Sequence, residues 1–250
     1  VRRLNARPLG LALGLALGLC AANARAQSCP VPAGADPALG ALDARERAQF
    51  IARELGAQAR YAALWQTTWF VARTAILASE VGLAMVSPDP DDRLDARVTS
   101  VFAALPPVGM LLFGLRVVRD GPLFLRLDHL DTDASRCAWI ARGEQLLARD
   151  AKNEDEQRGW LQHALQIGGS TALFLVLGLG WGHWRNAILN GLAGIALGEA
   201  QILTQPTGLV GAWERYRRGD VSDGTRRSIS LRIAPLLTTN AAGVAFGGTF

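Results

Sequence analysis

Apolar positions along this chain fall in long runs at helical spacing, separated by short breaks rich in proline, aspartate and glycine. From Leu42 to Met85 there is no proline, and only Gly56 and Gly82 interrupt. Asp43, with Glu46 three residues on, supplies an N-cap and a capping-box partner. As one helix this stretch would run about 65 Å at ~1.5 Å per residue. Its first half is charged, through Arg45, Glu46, Arg47, Arg53, Glu54 and Arg60. Its second half is apolar, through Ala62-Ala63-Leu64-Trp65, Trp69-Phe70-Val71 and Ile76-Leu77. Ser87-Pro88-Asp89-Pro90-Asp91 stops it.

A second helix starts near Asp91 or Asp92, where acidic residues suit the helix dipole, and runs to about Val118. Pro106-Pro107 should kink or break it, and Asp120-Gly121-Pro122 should end it. A third helix spans about Thr132 to Arg149. Asn153 with Glu156 reads as a fresh N-cap, from which the pattern continues to about Gly180 through Leu173-Phe174-Leu175-Val176-Leu177. Gly182-His183-Trp184-Arg185 makes a turn. A fourth helix covers about Asn186 to Thr204 and stops at Pro206. A short amphipathic helix around Trp213-Glu214-Arg215-Tyr216 ends at Gly219. The period then changes. Ile229, Leu231 and Ile233 alternate with polar residues, and Val244, Phe246 and Phe250 fall on alternate positions beyond a turn at 238–243, which reads as a β-hairpin. The fold class is therefore mainly α, an up-down four-helix bundle with long helices and membrane association, plus a short C-terminal β-hairpin.

The first 26 residues form a separate unit. Arg2, Arg3 and Arg7 precede an apolar run, Pro8 to Ala22, and Ala24-Arg25-Ala26 offers small residues for cleavage before Gln27. This is the pattern of a secretory signal; the run is short for a span of about 20 residues. Leu19 before Cys20 speaks against a lipoprotein. The organisation is then 1–26 signal peptide, 27–41 proline-rich leader, 42–220 helical bundle and 221–250 hairpin. The signal changes the meaning of the charge. The whole chain carries +4, but the first 26 residues hold four arginines and no acid, which leaves 22 basic residues against 22 acidic ones. A nucleic-acid partner loses its electrostatic support. Export also pairs the remaining cysteines, Cys29 and Cys137, as one disulfide in an oxidising compartment. A bias to Ala, Arg and Gly, with Lys152 the single lysine, suggests a bacterial gene. Localisation is then the bacterial cell envelope, in a membrane or the periplasm.

Four apolar segments, about 62–86, 98–118, 165–182 and 187–203, are the candidate spans. The first carries Gln66, Arg73 and Glu80 and the fourth Asn190, Glu199 and Gln201. Ionisable residues at mid-bilayer cost about 2.5–3.5 kcal/mol each on insertion scales and need partners. Four spans place Cys29 and Cys137 on one side, as a disulfide requires. They also put the aspartate-rich 87–97 connection in the cytoplasm, against the positive-inside rule. A soluble or peripheral bundle that binds an apolar ligand such as a lipid stays open as the alternative.

Candidate chemistry is sparse. His129, His163 and His183 stand far apart, without metal-ligand spacing. No nucleophile elbow, phosphate loop or dinucleotide fingerprint occurs. The expectation is a non-enzymatic protein without cofactor or metal. Arg73, Glu80, Glu199 and Gln201 form the candidate buried polar set. Arg73 and Glu80 share a helix face, and Glu199 could pair with Arg73 if the first and fourth helices adjoin. Gly191, Gly194 and Gly198 form a small-residue stripe for close helix packing.

The strings Gly182-His183-Trp184-Arg185-Asn186, Gly198-Glu199-Ala200-Gln201-Ile202-Leu203-Thr204-Gln205-Pro206-Thr207 and Ala212-Trp213-Glu214-Arg215-Tyr216 resemble an uncharacterised family of exported bacterial envelope proteins. The resemblance covers the chain after the signal. It implies an exported helical protein with a terminal β-segment and transfers no catalytic residue. The expected partners are membrane lipid and another envelope protein docked on the hairpin; a homo-oligomer is compatible with the pattern.

Overall fold

The computed structural model describes residues 29–127 and 132–222 and, as backbone alone, 230–238 and 241–249. The signal segment 1–26 and His129 lie outside the described residues, as do the side chains on which the expected hairpin face depends. The chain is mainly helical. A short turn of helix, α1 (Pro37–Gly40), precedes α2 (Ala44–Val86), α3 (Pro90–Phe113), α4 (Val117–Leu125), α5 (Asp133–Glu156), α6 (Trp160–Leu175), α7 (Trp184–Leu203) and α8 (Gly208–Arg217). A π turn, Val176–Gly180, extends α6.

The 43 residues of α2 set the architecture, because the helix runs through two different environments. Its buried positions, Arg47, Phe50, Ile51, Leu55, Ala59 and Ala62, recur at helical spacing and stop at Ala62, with Arg73 the one exception beyond. That first half packs with α1, α4, α5 and α8 in a closed core of Leu39, Phe124, Ile140, Leu147, Leu209 and Tyr216. We call this part the head. The second half of α2 turns back through residues 87–89 into α3, and α6 turns back through 181–183 into α7. These two helical hairpins form a stem. Four helical stretches, Ala44–Val86, Pro90–Leu125, Ala134–Gly180 and Trp184–Arg217, are each long and apolar enough to cross a membrane.

Several element boundaries differ from the sequence pattern. Pro106 and Pro107 do not break α3, which continues to Phe113. Asp120-Gly121-Pro122 does not end a helix; it lies inside α4. Gly121 is there for packing, since a Cβ would stand 2.8 Å from the Ala59 Cβ and 3.1 Å from the Leu55 carbonyl oxygen. Asn153 does not cap a new helix. α5 runs uninterrupted to Glu156, and the Asn153 Oδ1 accepts from the Arg116 N–H at 3.1 Å, at the start of α4. The break falls instead at 157–159. The fourth long helix starts at Trp184, two residues early, with Gly182 at φ +75° making the turn.

Cys29 and Cys137 form a disulfide that closes 108 residues of chain and ties the leader to the start of α5. Thiol labelling without reductant should find neither cysteine free. Cys29→Ser with Cys137→Ser should lower the head's unfolding free energy by about 2–5 kcal/mol in the chain-entropy account, measured by denaturant titration.

Candidate functional site

The most buried cation is Arg47 on α2, 1% exposed. Its guanidinium donates to Glu144 Oε1 of α5 at 2.5 Å, to the Tyr216 hydroxyl of α8 at 3.0 Å, and to the Cys29 and Pro30 carbonyls at 2.8 Å each. Tyr216 donates to the same Glu144 oxygen. Burial and the adjacent Glu144 push the phenol well above its ordinary range, so it stays a donor. This cluster joins leader, α2, α5 and α8, and its geometry is that of a structural clamp.

A second buried set lies at the base of the head. Glu154 on α5 is 1% exposed, and its Oε2 accepts from the Leu209 N–H at 2.9 Å, at the open N-terminus of α8. Burial nevertheless raises its pKa to about 7. Asp150, one turn earlier, is raised to about 6 by burial and by the nearby Asp120 charge. Asp120 itself bonds Arg149 and Arg119.

In the stem, polar contacts join the two hairpins at three levels. Nearest the head, the Trp65 and Trp69 indole N–H groups both donate to the Thr204 hydroxyl, at 3.2 and 3.1 Å, and that hydroxyl donates to the Ala200 carbonyl at 2.7 Å. One proton and two lone pairs are thereby all used. In the middle, Arg73 Nε donates to Gln201 Oε1 at 3.0 Å. At the distal end, Asp95 near the start of α3 takes His183 Nδ1 at 2.5 Å and the Asn186 amide at 2.6 Å. The Asp95 hydrogen bond holds the His183 imidazolium at a raised pKa, with Asp91 and Asp89 adding to the attraction.

The structure thus brings Arg73 and Gln201 together and sends Glu199 elsewhere. Glu199 Oε2 meets His163 Nδ1 of α6 at 2.6 Å, not Arg73. Glu199 stands two residues before Gln201, hence on another face of α7. Glu80 lines the same cavity as Arg73 and Gln201 without an ion pair among the described residues. The glycines of α7 seat α6. Built Cβ atoms at Gly191, Gly194 and Gly198 would meet Phe174 at 3.1 Å, Ser170 Oγ at 2.8 Å and the Gln166 side chain. Gln166 donates to the Gly194 carbonyl at 2.9 Å across that close contact.

Glu144, Glu154 and Asp95 escaped the sequence reading. Each sits on a charged helical stretch, where a carboxylate in a long-range bond looks like any solvated one. Comparison with known proteins gives no template, since no family model, curated protein or solved structure matches this chain.

Two predictions follow from these contacts. Folding raises the pKa of Glu154 from 4.5 to about 7, so the folded head keeps a proton that the unfolded chain has lost. Stability should therefore fall as pH rises through that window. Glu154→Gln should flatten the decline between pH ~5 and ~8 and stabilise the alkaline form by about 1–3 kcal/mol, read from thermal unfolding. An unchanged slope would show that Glu154 titrates normally. In the stem, Gly194→Val should part α6 from α7 at a cost of about 1–3 kcal/mol. Gly168→Ala, where a methyl meets no atom within 4 Å, should leave thermal stability in micelles unchanged or higher.

Proposed function

We propose that this chain is a non-enzymatic protein of a bacterial cell envelope, its four-segment stem embedded in a membrane and its disulfide-locked head on the exported side. It acts by packing against lipid and partner protein, the C-terminal hairpin being the partner-facing element. Kinship with uncharacterised exported envelope proteins belongs to this reading.

The observation that carries it is where the apolar surface lies. Among the described residues, apart from Val31, Tyr61, Leu123, Leu125 and Leu127, every large exposed apolar side chain falls within 64–113 or 160–203. Met85, Val86, Leu111, Phe113 and Leu179 are each at least 70% exposed, while the head keeps its own core closed. A water-facing stem of this kind would be an aggregation hazard, and a hydrocarbon solvent removes the penalty. Aromatic residues support the same frame. Trp160 begins α6, and Trp181 and Trp184 flank the distal turn, all substantially exposed. Trp181 lies 21 residues after Trp160, a rise of about 30 Å, the thickness of a hydrocarbon core, so the indoles suit interfacial belts.

A second reading, a peripheral periplasmic module that holds an apolar ligand, draws support from the distal turn. Asp89, Asp91 and Asp92 stand there beside Arg93, an acidic connection that the positive-inside rule disfavours on the cytoplasmic side. Alkaline carbonate washing of envelope membranes separates the two. The expected result is retention of the protein in the pellet, as for an integral protein; release into the supernatant would establish the peripheral module instead.

A further inference from the structure

Alongside the Trp–Thr204 contacts, between the base of the head and the Asp95 joint, the two hairpins leave a cavity of about 600 Å³ whose lining runs from Trp65, Leu115 and Gln205 to Glu80, Thr99 and Asn190. Ile76, Phe102, Leu165 and Leu173 give it apolar walls. Arg73 lines it and is 7% exposed, with Trp69 at its side, 5.8 Å from ring centre to guanidinium carbon. Gln201 uses only the Nε donor. Arg73 Nη2 is buried without a hydrogen-bond partner, and no carboxylate of the described residues lies within 4 Å of the guanidinium. Thr99 Oγ1, on the facing helix, lines the same space and is likewise buried and unpartnered.

A buried guanidinium with no counter-charge is costly in any medium and more so in hydrocarbon. Its unused donors suit a planar or tetrahedral oxyanion. Glu80, the one carboxylate in the lining, lies seven residues on, about 10 Å along the helix, and forms no ion pair with Arg73. We infer that this cavity binds a single-chain anionic amphiphile, with its acidic head on Arg73 beside Gln201 and its acyl chain against Ile76, Phe102, Leu165 and Leu173. A cavity of this volume suits one such molecule, and its mix of apolar wall and few polar anchors is that of a ligand site. The inference rests on the membrane-embedded reading of the stem, because a membrane supplies such amphiphiles.

The test uses the full chain in neutral alkyl-maltoside micelles, with dansyl-undecanoate as the fluorescent probe excited by energy transfer from tryptophan. Palmitate, hexadecanol and palmitoyl lysophosphatidate compete for it. Palmitate or lysophosphatidate should displace the probe at concentrations at least about ten-fold below hexadecanol, as a charge-assisted hydrogen bond requires. Whichever acid competes better identifies a carboxylate or a phosphate head. Arg73→Gln should abolish the preference, and Ala103→Trp, which fills the cavity, should abolish binding while the disulfide and helix content stay intact. Equal displacement by the acids and the alcohol in the unaltered protein would overturn the inference, as would probe binding by the Ala103→Trp variant at full strength. Both outcomes remain readable where Arg73→Gln fails to fold. Carbonate resistance without any anion preference would sink this inference alone; carbonate release would sink the membrane reading, with binding still measured separately in micelles.

Discussion

A guanidinium sealed from water must have its charge balanced and its donors met, and Arg47 is met from four directions. Glu144 supplies the charge, Tyr216 an oxygen, and the Cys29 and Pro30 carbonyls the rest. Removing any one partner leaves a buried charge short of a bond, a loss of several kcal/mol in typical cases, on the order of 3–5 for a broken buried ion pair. The head therefore depends on one side chain to hold the leader, α2, α5 and α8 in register. The disulfide, at the same leader residue, limits how far those parts can separate. Because α2 continues unbroken from the head, fixing its first half also aims its second half and with it the first stem hairpin.

The stem is built on a different rule. Each hairpin packs closely within itself, through the α7 glycines against α6 in one and along α2 and α3 in the other. Between hairpins, polar contacts come at separate levels, Thr204, Gln201 and Asp95, and Val98 and Phe102 of α3 pack against Leu173 and Leu177 toward the distal end. In the membrane setting proposed for the stem, apolar surface would give helices little reason to associate, and small residues and buried hydrogen bonds would take over that task. The cavity that remains beside these contacts is lined by Arg73, whose Nη2 has no hydrogen-bond partner. Head and stem thus differ in what holds them: an extensive desolvated apolar core in the first, and close backbone approach, a small apolar cluster at Leu173 and Leu177, and a few directed bonds in the second.

Much of the long-helix pattern was legible in the residues. Proline-rich breaks end α2, Asp43 caps it with a hydrogen bond to the Arg45 N–H, and Gly182 makes the distal turn, because these are local effects of backbone geometry. The pairing of Cys29 with Cys137 was legible by elimination once the first segment was set aside. Other local signals misled where a distant partner outbid them. Asn153 has the look of a cap, yet its side chain serves α4. Gly121-Pro122 has the look of a stop, yet the glycine admits α2.

By itself, then, the sequence determined the helical class, the breaks at 87–89 and at Gly182, and the division of α2 into charged and apolar halves. Hydrophobic period and backbone stereochemistry act over a few residues and need no partner. Only the tertiary structure decided that the charged half lies inside a head, with Arg47 and Glu154 among its most buried groups. Only it paired Glu199 with His163 and left Arg73 facing a cavity with Gln201. A charged side chain on a helix carries no mark of what it will meet, because its energy is set by the dielectric and the partners that folding brings around it.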